Sequence, residues 1–258
     1  MSVLAAFQFP PVSHLFEWPA LLLDGTPFAI NKTVILCGIA ALLSVGFFVL
    51  GGRKRALVPT GIQNLAESSY ELVEENIAVE AMGVEDGKRW TPFLASLFFY
   101  IFFMNIFEVI PGIQFPPTSR IAIPMFLALM VWLMMIALGV KTQGLGGYFK
   151  NSLFPPGVPW PLYLLVTPIE FISTFLVRPF SHMVRLFANM MAGHILLTTF
   201  ALLSAALWIA KWNIVFLPLP FLGGAAMTGF EVLVAVLQAY IFTILTAVYI
   251  GGSLHPEH

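Results

Sequence analysis

The chain has 258 residues, of which 59% are hydrophobic and 10% charged, and its 12 basic and 13 acidic side chains leave a net charge of −1. A soluble domain carries about a quarter charged residues, and 25 Phe with a mean hydropathy of +0.90 leave too little polar surface to cover a water-soluble fold. The near-neutral balance also excludes a bulk electrostatic pull toward nucleic acid.

The first basic residue is Lys32, with Glu17 and Asp24 ahead of it, so no cleaved leader is expected; a leader would need a positive start before a short apolar core. The first span is expected at 33–50, close to the ~20 residues that cross hydrocarbon. It holds Cys37, the chain's one cysteine, which can form neither an intrachain disulfide nor a cysteine-based metal site and reads as a small core residue. The span stops at Gly51-Gly52-Arg53-Lys54-Arg55, and this basic cluster places the downstream end in the cytoplasm and the N-terminus outside. Residues 56–89 carry seven acids and no spanning run. Ile62, Leu65, Leu72, Val73 and Ile77 recur at helical spacing opposite Glu67, Glu71, Glu74 and Glu75, which predicts a cytoplasmic surface helix facing a protein partner rather than anionic lipid.

A second span is expected at 92–110 and a third at 121–140, joined by a turn around Pro111, Pro116 and Pro117. Lys88, Arg89, Lys141 and Lys150 put the far ends of both in the cytoplasm and leave Arg120 outside. Gly144 to Pro161 reads as a loop. The remaining apolar segments, 162–210 and 220–250, would run to about 70 Å and 45 Å as unbroken helices, against about 30 Å of hydrocarbon. Pro179 would kink a helix rather than reverse it, so the expectation is two long, strongly tilted helices joined near Lys211-Trp212-Asn213. The predicted fold is a single all-α polytopic membrane domain over 1–258, with about five membrane helices and a surface helix. Helices so oblique need a large neighbour, and no repeat relates the two halves.

Ionisable groups at membrane depth are costly. At 100° per residue, Thr174, Arg178, His182, Arg185 and Asn189 fall within one stripe of about 80°. Arg178 either snorkels or serves a polar path; Thr174 and Asn189 either hydrogen-bond helix to helix or line that path; His182 reads as a packed histidine. Arg185 is too deep to snorkel easily and does not deprotonate, so it needs an anion, local or from a partner. With Arg185 level with Gln238 in an antiparallel hairpin, His194 falls near residue 229, two from Glu231; such a pair is either structural or passes protons. Asn105 and Glu108 add a carboxylate near the outer end of the second span, and Glu170 sits near the inner end of its helix. His14, His255 and His258 read as terminal and solvated. There is no phosphate-binding glycine loop, no paired-histidine metal or haem spacing and no nucleophile elbow, so no resident cofactor is expected.

The run RPFSHMVRLFANMMAGH, Arg178 to His194, resembles the signature helix of subunit a of F-type ATP synthases, and the resemblance extends to EVLVAVLQAYIFTILTAVYI, FFMNIFEVIPG and HLFEWP. It implies a multi-pass protein of a bacterial plasma membrane, itself not catalytic, packed against a rotating ring of c subunits and held by b subunits of a peripheral stalk. By position Arg185 matches the family's arginine that meets each ring carboxylate. Asn105, Glu108, Asn189, His194, Glu231 and Gln238 correspond to the outer half-channel, and Glu170, Thr174 and Arg178 to the inner one. The expected translocated ion is the proton. Some bacterial relatives carry the acid on the earlier helix and the imidazole on the later; here His194 and Glu231 are reversed. Glu170 differs by one residue from the commoner spacing to Arg185, the loop PPTSRIAIP departs from the common pattern, and Arg120 has no assigned role. The other readings open at this point are a stand-alone ion-coupled carrier with an anion site at Arg185, and a structural scaffold that would tolerate Gln or Leu there.

Overall fold

The computed structural model describes residues 19, 21, 22, 25, 29–53, 56–154, 158–209 and 211–255. Glu17, Asp24, His14, His258, Lys54, Arg55, residue 210 and most of the segment from His14 to Pro19 lie outside the described residues. The described chain is helical, with one isolated antiparallel bridge between Leu22 and Ile30.

Helix α1, Lys32–Gly51, is an almost unbroken apolar run, and it turns Thr33, Leu36 and Ala40 inward at helical spacing. Helix α2, Ile62–Val73, continues through a π-helical segment, Glu74–Val79, to Met82. Helix α3, Val84–Ile106, begins with Glu85 and Asp86 in its first turn, where carboxylates favour the helix dipole. Helix α4 spans Ala122–Leu153 with a break at Gly144. Helix α5, Tyr163–Ile172, passes through a π-helical segment, Ser173–Val177, into helix α6, Arg178–Ile209. A 3-10 turn at Lys211–Phe216 leads to helix α7, Pro218–Leu254. Among the described residues, four stretches are long and apolar enough to cross a membrane: Lys32–Gly51, Ala122–Leu153, Trp160–Trp208 and Ile214–Leu254. With α3 they make the expected all-α polytopic membrane protein.

The chain divides into two compact units. One comprises Met1–Leu43, Tyr100–Arg120 and Phe187–Gln238, the other Ser44–Phe99, Ile121–Leu186 and Ala239–His258. In the second unit, the rings of Phe47 and Phe48 lie 5.0 and 5.1 Å from Phe99, and Phe48 lies 6.3 Å from Tyr70. The C-terminal part of α7 buries Ala239, Phe242, Thr243, Thr246, Ala247 and Ile250, a face of small residues and threonines that lets helices approach closely.

Three expectations are corrected. On α2 the buried face is Gln63, Ala66, Val73 and Ile77, while Ile62, Leu65 and Leu72 are exposed. Gln63 turns inward because its amide accepts from the Ala56 N–H at 3.2 Å and donates to the Ala56 carbonyl at 2.9 Å, and Ala66 packs against Gly51 at the end of α1. The segment from Gly144 to Pro161 is not all loop. Gly144 has φ 73 and ψ 161, which only glycine adopts without strain, and helix resumes as far as Leu153. The chain folds back there, so the Tyr148 ring lies against Gly139; nine residues of straight helix would hold them about 13 Å apart. His255 is exposed but not merely solvated, being bonded to Asp86.

Candidate functional site

Each unit holds a polar cluster in an otherwise apolar setting. In the first unit, Asn105 and Glu108 come from the end of α3 and the turn after it, Asn189 and His194 from α6, Glu231 and Gln238 from α7. All except Asn189 are buried, and Glu108 is 2% exposed. Asn189 Nδ2 donates to Gln238 Oε1 at 2.8 Å, which sets the register of the two long helices. Seven residues back along α7, Glu231 lies against α6 at Gly193, where a Cβ would come within 2.5 Å of its Oε1. Glu231 therefore lies against the residue next to His194, although the register differs from the expected one: Gln238 is bonded to Asn189, about one turn along α6 from Arg185. Thr118 Oγ1 donates to Asn105 Oδ1 at 2.6 Å, and the Phe115 ring meets His194 edge-on at 6.0 Å.

Several buried polar atoms here have no hydrogen-bond partner among the described residues: Asn105 Nδ2, both carboxylate oxygens of Glu108, Glu231 Oε2 and Gln238 Nε2. Buried polar atoms are ordinarily satisfied, so a run of exceptions on α3, the turn after it and α7 marks a polar place that water could serve. The loop beside them explains Arg120. Its Nη1 donates to Thr33 Oγ1 at 3.3 Å, and Lys32 Nζ donates to the Ile113 carbonyl at 2.8 Å, so two cations tie residues 113–120 to the start of α1. Phe115 and Thr118 were not singled out from sequence. They lie in a proline-rich turn, where no periodicity marks a buried side chain.

In the second unit, Glu170, Thr174 and Arg178 line one cavity of about 840 Å³, together with Gln143, Tyr148, Asn151, Ser253 and His255. The π-helical segment brings the first three together. Eight residues of regular helix would set Glu170 about 80° from Arg178, but a π turn absorbs one residue and reduces this to about 20°. The Arg178 guanidinium stacks 5.6 Å over the Tyr249 ring, and Gln143 and Thr142 donate to the Ser253 carbonyl, joining α4 to the end of α7. His182 is packed, its ring 3.8 Å from that of Phe242 and 3.5 Å from Thr246 Oγ1.

The predicted single stripe on α5 and α6 is split by burial: Thr174 and His182 are buried, whereas Arg185 and Asn189 are exposed. Arg185 has neither a hydrogen bond nor a carboxylate within 4.0 Å among the described residues. A guanidinium cannot discard its charge, so at membrane depth it has to be met by water or by an anion.

Comparison with known proteins follows the same lines. The family described as ATP synthase A chain matches residues 34–251. The chain is similar to ATP synthase subunit a of Frankia alni, 44% identical over 253 residues covering 96% of this chain and 87% of that protein. It is also similar to ATP synthase subunit a of Rhodococcus erythropolis, 40% identical over 100% of this chain and 94% of that protein, and of Streptomyces lividans, 40% identical over 88% and 81%.

Proposed function

This chain belongs to the ATP synthase A chain family, and from that premise we propose that it is the proton-conducting stator subunit of a rotary ATP synthase. It gives a ring of c subunits two offset half-channels, while the chemistry of ATP is carried by other subunits. The observation that carries this reading is Arg185, a permanent cation exposed on a membrane helix with no carboxylate within 4.0 Å among the described residues. A ring carboxylate supplies the anion in turn from each passing c subunit. Its attraction to the fixed charge holds the deprotonated carboxylate at the stator, and the charge repels protons that would cross directly.

The cluster of Glu108, Glu231 and His194, with the amides of Asn105, Asn189 and Gln238, serves proton entry from outside, since carboxyl and imidazole groups take and give protons and the amides orient them. The cavity of Glu170, Thr174 and Arg178 serves release to the inside. The exposed, over-long helices α6 and α7 lie obliquely against the ring, the b subunits hold the chain at the surface helix and early spans, and the N-terminus faces outward. Each proton delivers about 2.3 kcal/mol per 100 mV of membrane potential, which drives rotation.

Arg185→Ala in the assembled complex is the test. ATP-driven acidification of membrane vesicles is expected to vanish, while passive proton flow after removal of the catalytic part is retained or rises. Wild-type pumping by the variant would exclude the charge-barrier role.

A further inference from the structure

His255 stands at the end of α7, outside every role assigned above. Its Nε2 meets Asp86 Oδ2, in the first turn of α3, at 2.5 Å. Against an ionised carboxylate, which only accepts, the hydrogen in that bond belongs to the ring, so a neutral ring there carries hydrogen on Nε2 and the lone pair on Nδ1. The ring also lines the 840 Å³ cavity of Glu170, Thr174 and Arg178, yet its side chain is 70% exposed, against 20% for Asp86. One side chain thus reaches both the cavity and the medium. The other titratable or charged groups lining that cavity are Glu170, Arg178, Tyr148 and Tyr249, and His255 is the imidazole among them. Imidazole is the side-chain type suited to taking and giving a proton near neutral pH.

We propose that His255, oriented by Asp86, is the outermost proton-exchange group of this cavity and passes protons between it and bulk buffer. A hydronium ion in the cavity gives its proton to Nδ1, leaving water and an imidazolium whose Nε2–H stays on Asp86. The Nδ1 proton then goes to a buffer base in the medium, and the neutral ring is restored; rotation in the other sense runs the same transfers backwards. Asp86 is a positioning residue that keeps the tautomer and offsets the imidazolium charge. The proposal rests on reading the cavity as the inner half-channel.

The test uses the assembled complex in inverted vesicles, stripped of its catalytic part, with passive proton flow followed at low buffer concentration and again with imidazole added. His255→Gln is expected to lower the flow by about threefold or more at low buffer, well short of the 10²–10⁴ a positioned acid–base group can supply because bulk water still reaches the cavity. Added imidazole should restore it toward wild type. Asp86→Asn should lower the flow less and move its pH profile, because the tautomer is no longer held. Undiminished flow in His255→Gln at low buffer, a loss that imidazole leaves untouched, or absence of both variants from the complex would each overturn the relay and leave the pair a structural clasp. A wild-type complex that conducts no protons would instead sink the half-channel reading, and the relay with it.

Discussion

Glu231 occupies its place because residue 193 has no side chain. A Cβ there would meet the carboxylate at 2.5 to 2.7 Å, so α6 and α7 approach closely at that level and hold the acid against the backbone next to His194. Burying a carboxyl with one oxygen unsatisfied is costly, and the cost is tolerable where the group is transiently served by a proton or water. Gly193→Ala should therefore displace the carboxylate without changing any ionisable group. Since a misplacement of about 1 Å can cost up to ~10²-fold, proton-driven ATP synthesis in vesicles is expected to fall ~10-fold or more. Adding Glu231→Asp, one methylene shorter, should recover part of the loss. Wild-type synthesis by Gly193→Ala would mean that the position of this carboxylate does not matter.

Two interruptions of regular helix shape the cavity of the second unit, and neither was legible beforehand. The π-helical segment Ser173–Val177 turns Glu170 toward Arg178, and the reversal at Gly144 returns Tyr148 to the cavity wall. Apolar runs were legible because a span is a sum over about twenty residues, which is why α1, α6 and α7 fall close to where hydropathy put them. A single residue's dihedral angle leaves no such sum, and a Gly- and Pro-rich stretch looks like a loop whether or not helix resumes inside it. The site divides the same way. Ionisable residues inside apolar helices identified themselves by cost, whereas their neighbours Phe115, Thr118, Tyr148 and His255 lie in turns, a folded-back segment and a chain end, where spacing carries no period. On α2 the apolar spacing found Val73 and Ile77 but missed Gln63, which is buried by bonds to the Ala56 backbone rather than by its hydrophobicity. Gly144 offers the test at this scale. Its backbone region is nearly reserved for glycine, so Gly144→Ala should cost about 1–3 kcal/mol. Gly146→Ala, with open space around its Cβ and no positive φ, should remove the roughly 0.5–1 kcal/mol helix penalty of glycine. Protease nicking of residues 145–153 in the solubilised complex should quicken in the first variant and slow or hold steady in the second; equal rates would deny Gly144 a special backbone role.

Across the whole molecule, the membrane-length helices bury little of themselves inside the chain. Only 17% of the most apolar window of Trp160–Trp208 is buried and 44% of that of Ile214–Leu254, so lipid or partner subunits must cover the rest. Exposed Leu and Phe along α5 and α7 suit lipid or a ring of apolar helices, but exposed Arg185 and Asn189 do not suit lipid, and this contrast supports the proposed membrane partner bearing an anion. In the orientation proposed from charge, Arg53, Lys88, Arg89, Lys141 and Lys150 are assigned to the cytoplasmic side by the positive-inside rule, and Arg120, held to Thr33, to the outer side. Because Cys37 is the chain's one cysteine, a cysteine-free background takes a single change, Cys37→Ser. Against it, Glu71→Cys on the exposed acidic face of α2 should react with a membrane-impermeant maleimide only in inverted vesicles. Ile121→Cys, exposed beside Arg120, should react only in right-side-out ones. Labelling of both from the same side would overturn this orientation, since the segment between them would then cross the membrane an even number of times, and proton entry and exit would have to be reassigned to other faces of the chain.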